Sequence, residues 1–207
     1  MKRQTEIAKL KTERRNPAAA GLDTLSARAI AGLINREDAR VAAAVRRALP
    51  AIARAIDAAA RALARGGRLI YVGAGTSGRI AALDAAECPP TFGTSPRSVQ
   101  YVIAGGGLAL GAATEVSEDS PALGRRDLAK KRPTKDDVVV GLAASGRTPY
   151  TVAALQFARR RGARTVAVAT GLHDLETLLA SGADAVLPDF GDVDAALRAL
   201  GCSTAGV

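Results

Sequence analysis

The spacing of apolar residues changes from helical to strand-like at Gly66-Gly67. Before these glycines, apolar residues recur every three or four positions. They predict one helix that is capped by Asp23 or Thr24 and runs to about Ile34. A second is predicted over 39–65, with a break at 35–38 and a kink or division at Pro50. After them, short apolar runs predict strands at 68–72, 99–104, 137–142, 164–169 and 185–187, and helices at 78–86, 108–116, 148–161, 172–180 and 193–200. This alternation predicts an α/β fold: a three-layer sandwich with a parallel sheet, preceded by N-terminal helices.

Charge and composition narrow the class of protein. The net charge is +9, but residues 1–65 carry +8 and residues 171–207 carry −5. Because the arginines are spread along helices and aromatics make up only 3%, we expect no nucleic-acid partner. The two cysteines indicate no disulfide framework. Without a membrane-length apolar run or an apolar signal core, we expect a cytoplasmic protein that does not enter a membrane.

Two loops have the composition of phosphate cradles. The first, Gly73–Arg79, follows a strand and opens a helix, so its amides would face an anion at the helix N-terminus. The second, Ala143–Pro149, has the same setting. The candidate substrate-binding residues are Gly75, Thr76, Ser77 and Arg79 in the first loop, and Ser145, Gly146, Arg147 and Thr148 in the second.

Three alternatives stay open for these loops. Each could be a tight turn without a ligand, and Arg147 could be a solvated arginine at a helix start. The first loop also matches a dinucleotide fingerprint, but the next strand ends in Ala104-Gly105 without the required acid. If both loops bind one ligand, they meet at the carboxyl edge of the sheet.

Two carboxylates are candidates for proton transfer. Glu87 precedes Pro89-Pro90, which we expect to end its helix, and Glu118 follows the helix predicted at 108–116. An elimination needs one group to remove a proton and another to protonate the leaving oxygen. The competing interpretation is that both are helix-terminal acids in water. His173 is expected at the surface and Cys88 as a small buried hydrophobe; no metal-ligand spacing is present.

Five segments in order resemble the N-acetylmuramic acid 6-phosphate etherase family, which has the sugar-isomerase (SIS) fold. They are 12–17, 33–38, 69–79, 84–93 and 141–150. The resemblance implies a homodimeric lyase without metal or organic cofactor that releases D-lactate from a phosphorylated amino sugar, N-acetylmuramic acid 6-phosphate. It also implies that Glu87 protonates the lactate oxygen, that Glu118 is the base, and that Thr76, Ser77, Ser145 and Thr148 hold the phosphate.

The resemblance divides the chain into three parts. Residues 1–65 form an N-terminal arm and helices, 66–170 an SIS-type sugar-phosphate domain, and 171–207 a divergent tail that completes the α/β layer. Residues 161–200 resemble the end of haloacid-dehalogenase-like phosphatases, which predicts a fusion or a truncated relic. Two other functions therefore remain: a non-catalytic module or inactive etherase that binds a sugar phosphate, and a phosphatase-related or nucleotide-binding domain.

Overall fold

A five-stranded parallel sheet organises the residues that the computed structural model describes, 15–113, 115–144, 146–168 and 185–187. Its strands are β1 (Leu69–Gly73), β2 (Val99–Ile103), β3 (Val138–Leu142), β4 (Arg164–Val168) and β5 (Ala185–Leu187). Their order is β2-β1-β3-β4-β5, and every neighbouring pair is parallel. The predicted α/β class and the five predicted strands are confirmed.

Helices cover both faces of this sheet. Helix α2 (Gly75–Phe92) joins β1 to β2, whereas α5 (Pro149–Arg160) joins β3 to β4 in the opposite direction along the sheet. Since such crossovers are right-handed, the two helices lie on opposite faces. Ile70, Val72 and Val139 are fully buried between these layers. Burial on both faces explains why the strands read as continuous apolar runs.

The N-terminal part is one long helix, α1 (Ala27–Ala64), instead of the two predicted. It begins after Ser26, whose hydroxyl accepts a hydrogen bond from the amide of Ala29, so the predicted cap at Asp23 or Thr24 is wrong. The predicted break at 35–38 is also wrong, because the helix continues through these residues, where Glu37 pairs with Arg40 on its surface. Polar residues on a solvated face do not interrupt a helix, and Pro50 does not divide it.

The end of helix α2 also differs from the prediction. It runs through Pro89-Pro90 to Phe92 instead of ending near residue 86. A proline loses its own N–H donor but keeps its carbonyl, and the amide of Gly93 donates to the Pro89 carbonyl at 2.9 Å. Gly93 then ends the helix with a left-handed conformation, φ 64°.

The connection from β2 to β3 departs most from the prediction. The helix expected at 108–116 is replaced by a 3-10 turn, Gly106–Leu110, and a four-residue helix α3, Glu115–Glu118. Helix α4 (Pro121–Ala129) was not predicted, although Ser120 caps it and Pro121 occupies its first position. The predicted helix 148–161 is confirmed as α5. The helices predicted at 172–180 and 193–200, and most of the phosphatase-like stretch, lie outside the described residues.

Candidate functional site

The topology of the sheet places a crevice beside the carboxyl ends of β1 and β3. The chain leaves β1 toward β2 on one side, and β3 lies on the other side. Gly73, the last residue of β1, pairs with Leu142 at the end of β3. The two loops predicted to bind phosphate therefore start from neighbouring strand ends, at the point where ligands bind in open parallel sheets.

The first loop leaves the N-terminus of α2 uncapped. Its N-cap residue, Ala74, offers no side-chain acceptor, so the first amides of the helix lack that partner. Thr76 is exposed and Ser77 half-buried on this first turn. Gly75 adopts φ 52° with open space where a side chain would project. Free amides, hydroxyls and an open backbone form a surface suited to an anion.

A close approach between α2 and the sheet requires glycine at the base of the first loop. A Cβ on Gly78 would lie 2.5 Å from Cγ1 of Ile103 on β2. A Cβ on Gly73 would lie 2.9 Å from the amide nitrogen of Gly78. The glycines therefore set how near the helix start comes to the strand ends.

The second loop has a similar helix start. The amide of Gly146 donates to the Ala143 carbonyl at 3.2 Å, and Gly146 has φ 68°. Thr148, the N-cap of α5, is half-buried, and its side chain makes no capping hydrogen bond. Arg147 is exposed. Ser145, the other predicted phosphate ligand here, lies outside the described residues.

Arg79 contacts the backbone of the connection that follows β2. Its Nε donates to the Ala109 carbonyl at 2.9 Å and its Nη2 to the Ala112 carbonyl at 2.8 Å. Sequence reasoning placed Arg79 among the substrate-binding residues. The structure engages its guanidinium in the protein's own backbone.

The two candidate carboxylates occupy different settings. Glu118 is half-buried at the end of α3, which packs against α5 and so lies near the helix that carries Thr148. Glu87 is exposed on α2, eleven residues after Thr76. At about 1.5 Å per residue, Glu87 lies about 16 Å along the helix from Thr76. Within one chain, the length of α2 therefore separates Glu87 from the first loop.

The face of α2 that carries Glu87 is apolar and uncovered. Ile80 is 59% exposed and Leu83 63%, and both share this face with Glu87. Contiguous exposed apolar patches often mark contact surfaces between proteins. This face has the character of a contact surface.

A cavity of about 610 Å³ lies between β2 and α4. Ser117, next to Glu118, lines one side, and Arg126, Lys130 and Lys131 line another. Asp127 pairs with both Arg126 and Lys130. Neither of the two loops predicted to bind phosphate contributes a lining residue to this cavity.

A buried acid at the opposite edge of the sheet was missed by the sequence reasoning. Asp137, 2% exposed, accepts hydrogen bonds from Arg68 through its backbone amide, Nε and Nη2 at 2.9, 3.0 and 2.7 Å. The amide and hydroxyl of Thr134 also donate to it. Burial opposes the charge, but the Arg68 and Thr134 hydrogen bonds outweigh it and lower the pKa of Asp137. No sequence motif distinguishes this acid from its neighbour Asp136.

Cys88, predicted to be a small buried hydrophobe, is half-buried instead. Burial together with the nearby Asp84 carboxylate raises the pKa of its thiol. A neutral thiol is a poor nucleophile.

His173 lies outside the described residues. Within residues 15–168, apart from the two gaps at 114 and 145, no group of three His, Cys, Asp or Glu side chains is arranged to hold a metal ion.

No helix in the described part of the chain is both long enough and apolar enough to cross a membrane.

Comparison with known proteins gives one family and a consistent set of relatives. A family model described as the glucokinase regulatory protein N-terminal SIS domain matches residues 51–159. An N-acetylmuramic acid 6-phosphate etherase of Edwardsiella ictaluri is 56% identical over 159 residues, covering 77% of this chain and 53% of the relative. An etherase 2 of Vibrio parahaemolyticus is 49% identical over 187 residues, covering 90% and 61%. An etherase of Streptomyces avermitilis is 51% identical over 181 residues, covering 87% and 57%.

The similarity covers only part of each relative. The chain spans between 53% and 61% of the length of these three relatives. Among solved structures, a phosphoheptose isomerase from Neisseria gonorrhoeae matches with a TM-score of 0.41 and 19% identity, covering 72% of this chain and 80% of that one. That likeness is too distant to carry a statement about the site.

Proposed function

The chain belongs to the SIS-domain family, and on that premise we propose that it is a carbon–oxygen lyase acting on N-acetylmuramic acid 6-phosphate. The products are N-acetylglucosamine 6-phosphate and D-lactate, as in amino-sugar and peptidoglycan recycling. The observation that carries the proposal is the 56% identity over 159 residues to a protein named as this etherase. The reaction we propose needs no metal or organic cofactor, and we place it in the cytoplasm.

The phosphate of the sugar binds between the two uncapped helix starts. Helices α2 and α5 both begin at the carboxyl edge of the sheet, and each helix start contributes partial positive charge. Gly75, Thr76 and Ser77 act from the first loop, and Ser145, Gly146, Arg147 and Thr148 from the second. Holding one end of the substrate in this way fixes the distance of its reacting carbons from the protein.

The two carboxylates then carry the proton transfers. Opening of the ring exposes an aldehyde that acidifies the neighbouring C–H, and Glu118 removes that proton. The electron pair forms a carbon–carbon double bond as the ether C–O bond breaks, and Glu87 protonates the departing lactate oxygen. Water adds across the double bond to complete the product. Glu118 must therefore be ionised, and Glu87 protonated, when the substrate is bound.

We propose a homodimer that brings Glu87 to the site. Within one chain, Glu87 lies about 16 Å along α2 from Thr76, a separation set by the helix rise. Its apolar surroundings, Ile80 and Leu83, are exposed at 59% and 63%. A second copy covering this face would supply Glu87 to a phosphate bound by its partner, and a symmetric pair would complete two sites.

The decisive experiment measures D-lactate released from N-acetylmuramic acid 6-phosphate. We expect release by the wild type and a fall of at least about 100-fold in Glu87→Gln and in Glu118→Gln, the usual magnitude for loss of a general acid or base. Asp119→Asn is the matched control, since Asp119 is an exposed acid beside Glu118. A folded wild type that releases no lactate would refute the lyase.

A second candidate is a non-catalytic module or inactive etherase that binds the same sugar phosphate. The observation that favours it is the chain's span of 53% to 61% of its relatives. Saturable thermal stabilisation by the sugar phosphate without lactate release would support this alternative. Absence of both signals would exclude both functions.

A further inference from the structure

We infer that Arg79 is a positioning residue that holds the segment carrying Glu118, and that it does not act by binding the phosphate. The inference deepens the proposed function, because the role of Glu118 rests on it. The observation behind it is the pair of hydrogen bonds from one guanidinium to the carbonyls of Ala109 and Ala112, at 2.9 and 2.8 Å.

The contacts of Arg79 fix a segment that has little else to hold it. Ala109 is 1% exposed, but its neighbours Leu108 and Leu110 are 80% and 42% exposed. The turn closes on itself through amides of Gly111 and Ala112, which donate to the Leu108 carbonyl at 3.3 and 3.1 Å. A segment with so few buried apolar contacts opens easily unless polar bonds tie it to the fold.

The clamp and the base are close along the chain. Helix α3 begins at Glu115, three residues after Ala112, and ends at Glu118. Because the connection is this short, the place of the two carbonyls determines where α3 starts. Movement of the turn therefore moves the Glu118 carboxylate.

The same helix joins the clamp to the phosphate loop. Arg79 is the fifth residue of α2, one turn after the uncapped amides at Gly75 to Ser77. Gly78 lets this turn lie directly against Ile103 of β2. Helix α2 thus positions the phosphate through its first turn. Through Arg79 it also positions the segment that carries Glu118. Helix α2, together with the packing of α3 against α5, then fixes the distance between phosphate and base.

Two carbonyls at separate places explain why arginine suits this position. A guanidinium carries donors on different nitrogens in a fixed fork, here Nε and Nη2, whereas a lysine ammonium is a single point. Arg79→Lys should therefore restore one bond at most, and Arg79→Ala none. Protection of the segment from hydrogen exchange, and kcat, should therefore be highest in the wild type, lower in Arg79→Lys and lowest in Arg79→Ala.

The test separates positioning from phosphate binding. Hydrogen exchange would be followed in peptides covering 106–118, and affinity for N-acetylglucosamine 6-phosphate would be measured by calorimetry. For Arg79→Ala we expect faster exchange in this segment, affinity within about threefold of wild type, and a fall in kcat of about 100-fold, as for a misplaced catalytic group. Arg97→Ala, an exposed arginine on the loop before β2, should change none of the three.

Two results would overturn the inference. A loss of affinity greater than about tenfold in Arg79→Ala would show that Arg79 binds the phosphate. Unchanged exchange at 106–118 would show that its hydrogen bonds do not hold the segment. Exchange and affinity do not require turnover. If the wild type released no lactate, they would still decide the role of Arg79 while the lyase itself failed.

Discussion

At the residue scale, the strongest electrostatic feature lies away from the candidate site. Asp137 receives five hydrogen bonds from Arg68 and Thr134 and is almost fully buried. Arg68 also donates to the carbonyls of Lys131 and Arg132, so one guanidinium joins the start of β1 to the chain after α4. This pair fixes the amino edge of the sheet, and the opposite edge is left for ligands.

Asp137→Asn should destabilise the protein in a pH-dependent way. The pKa of Asp137 is lowered in the folded state, so its contribution is present above the unfolded pKa of about 3.9 and is lost as the pH falls through the folded value. Removing the charge leaves the Arg68 guanidinium without its one carboxylate partner among the described residues, at a cost of about 3 kcal/mol in free energy of unfolding near pH 7. Denaturant titrations at pH 7 and pH 3 should show this difference shrink in acid.

The neighbouring acid gives the matched control for that experiment. Asp136 is exposed, and its carboxylate lies 3.7 Å from the Lys135 ammonium. An exposed pair of this kind contributes about 0–1 kcal/mol, so Asp136→Asn should have little effect at either pH. Equal losses in both variants would contradict a specific role for the buried pair.

At the scale of elements, helices α4 and α5 approach so closely that only glycine fits between them. A Cβ on Gly124 would lie 2.1 Å from the carbonyl oxygen of Tyr150, which is backbone and cannot rotate away. Tyr150 is fully buried there, and its hydroxyl donates to Asp127 at 3.2 Å. Burial, followed by the charge of Asp127, raises the pKa of Tyr150. The two helices are therefore in close contact around a buried tyrosine whose hydroxyl keeps its proton.

Gly124→Ala should lower the free energy of unfolding by about 2 kcal/mol or more, because the added methyl forces the helices apart. Gly32→Ala is the contrasting substitution. Gly32 lies inside α1, where a new Cβ would meet only an arginine side chain at 3.5 Å, so alanine should stabilise the helix by about 0.5–1 kcal/mol. Thermal unfolding of both variants would check the opposite signs; stabilisation by Gly124→Ala would refute the close approach.

Elements differ in how well their sequence predicts them. The strands were predictable because each is a short apolar run buried on both faces. The helix ends were not, since tertiary contacts outweigh local signals: α2 continues through Pro89-Pro90 to Gly93. The two loops were predictable as strand-to-helix turns from their glycine and hydroxyl residues, and their binding of phosphate stays a prediction. The contacts of Arg79 and Asp137 were not, because they join residues about 30 and 69 positions apart.

At the scale of the whole molecule, the described chain leaves two apolar surfaces uncovered. The first is the face of α2 with Ile80 and Leu83. The second is a stripe along α1, whose members fall on one side of the helix and are 44% to 61% exposed: Ile34, Val41, Val45, Leu49 and Ile56. Surfaces of this kind mark sites of association. In the proposed homodimer, a second copy buries both surfaces and brings Glu87 to its partner's site.

Mixing two inactive variants tests this arrangement directly. If each site takes Glu87 from one copy and Glu118 from the other, a dimer of Glu87→Gln with Glu118→Gln keeps one intact site. Random exchange makes about half the dimers mixed, so the mixture should recover about a quarter of wild-type lactate release. If both carboxylates act within one chain, every site carries a substitution and no activity returns.

The recovery should depend on association as well as on the two acids. Ile56 on α1 is 61% exposed, and its substitution tests this dependence. Ile56→Glu added to both inactive variants places a charge in the proposed contact, so light scattering should report monomers and the restored activity should disappear. Ala43→Glu is the control, because Ala43 is exposed on the side of α1 away from the apolar stripe, and it should leave the recovery intact. Recovery that survives Ile56→Glu would show that α1 is not the surface through which the two copies meet.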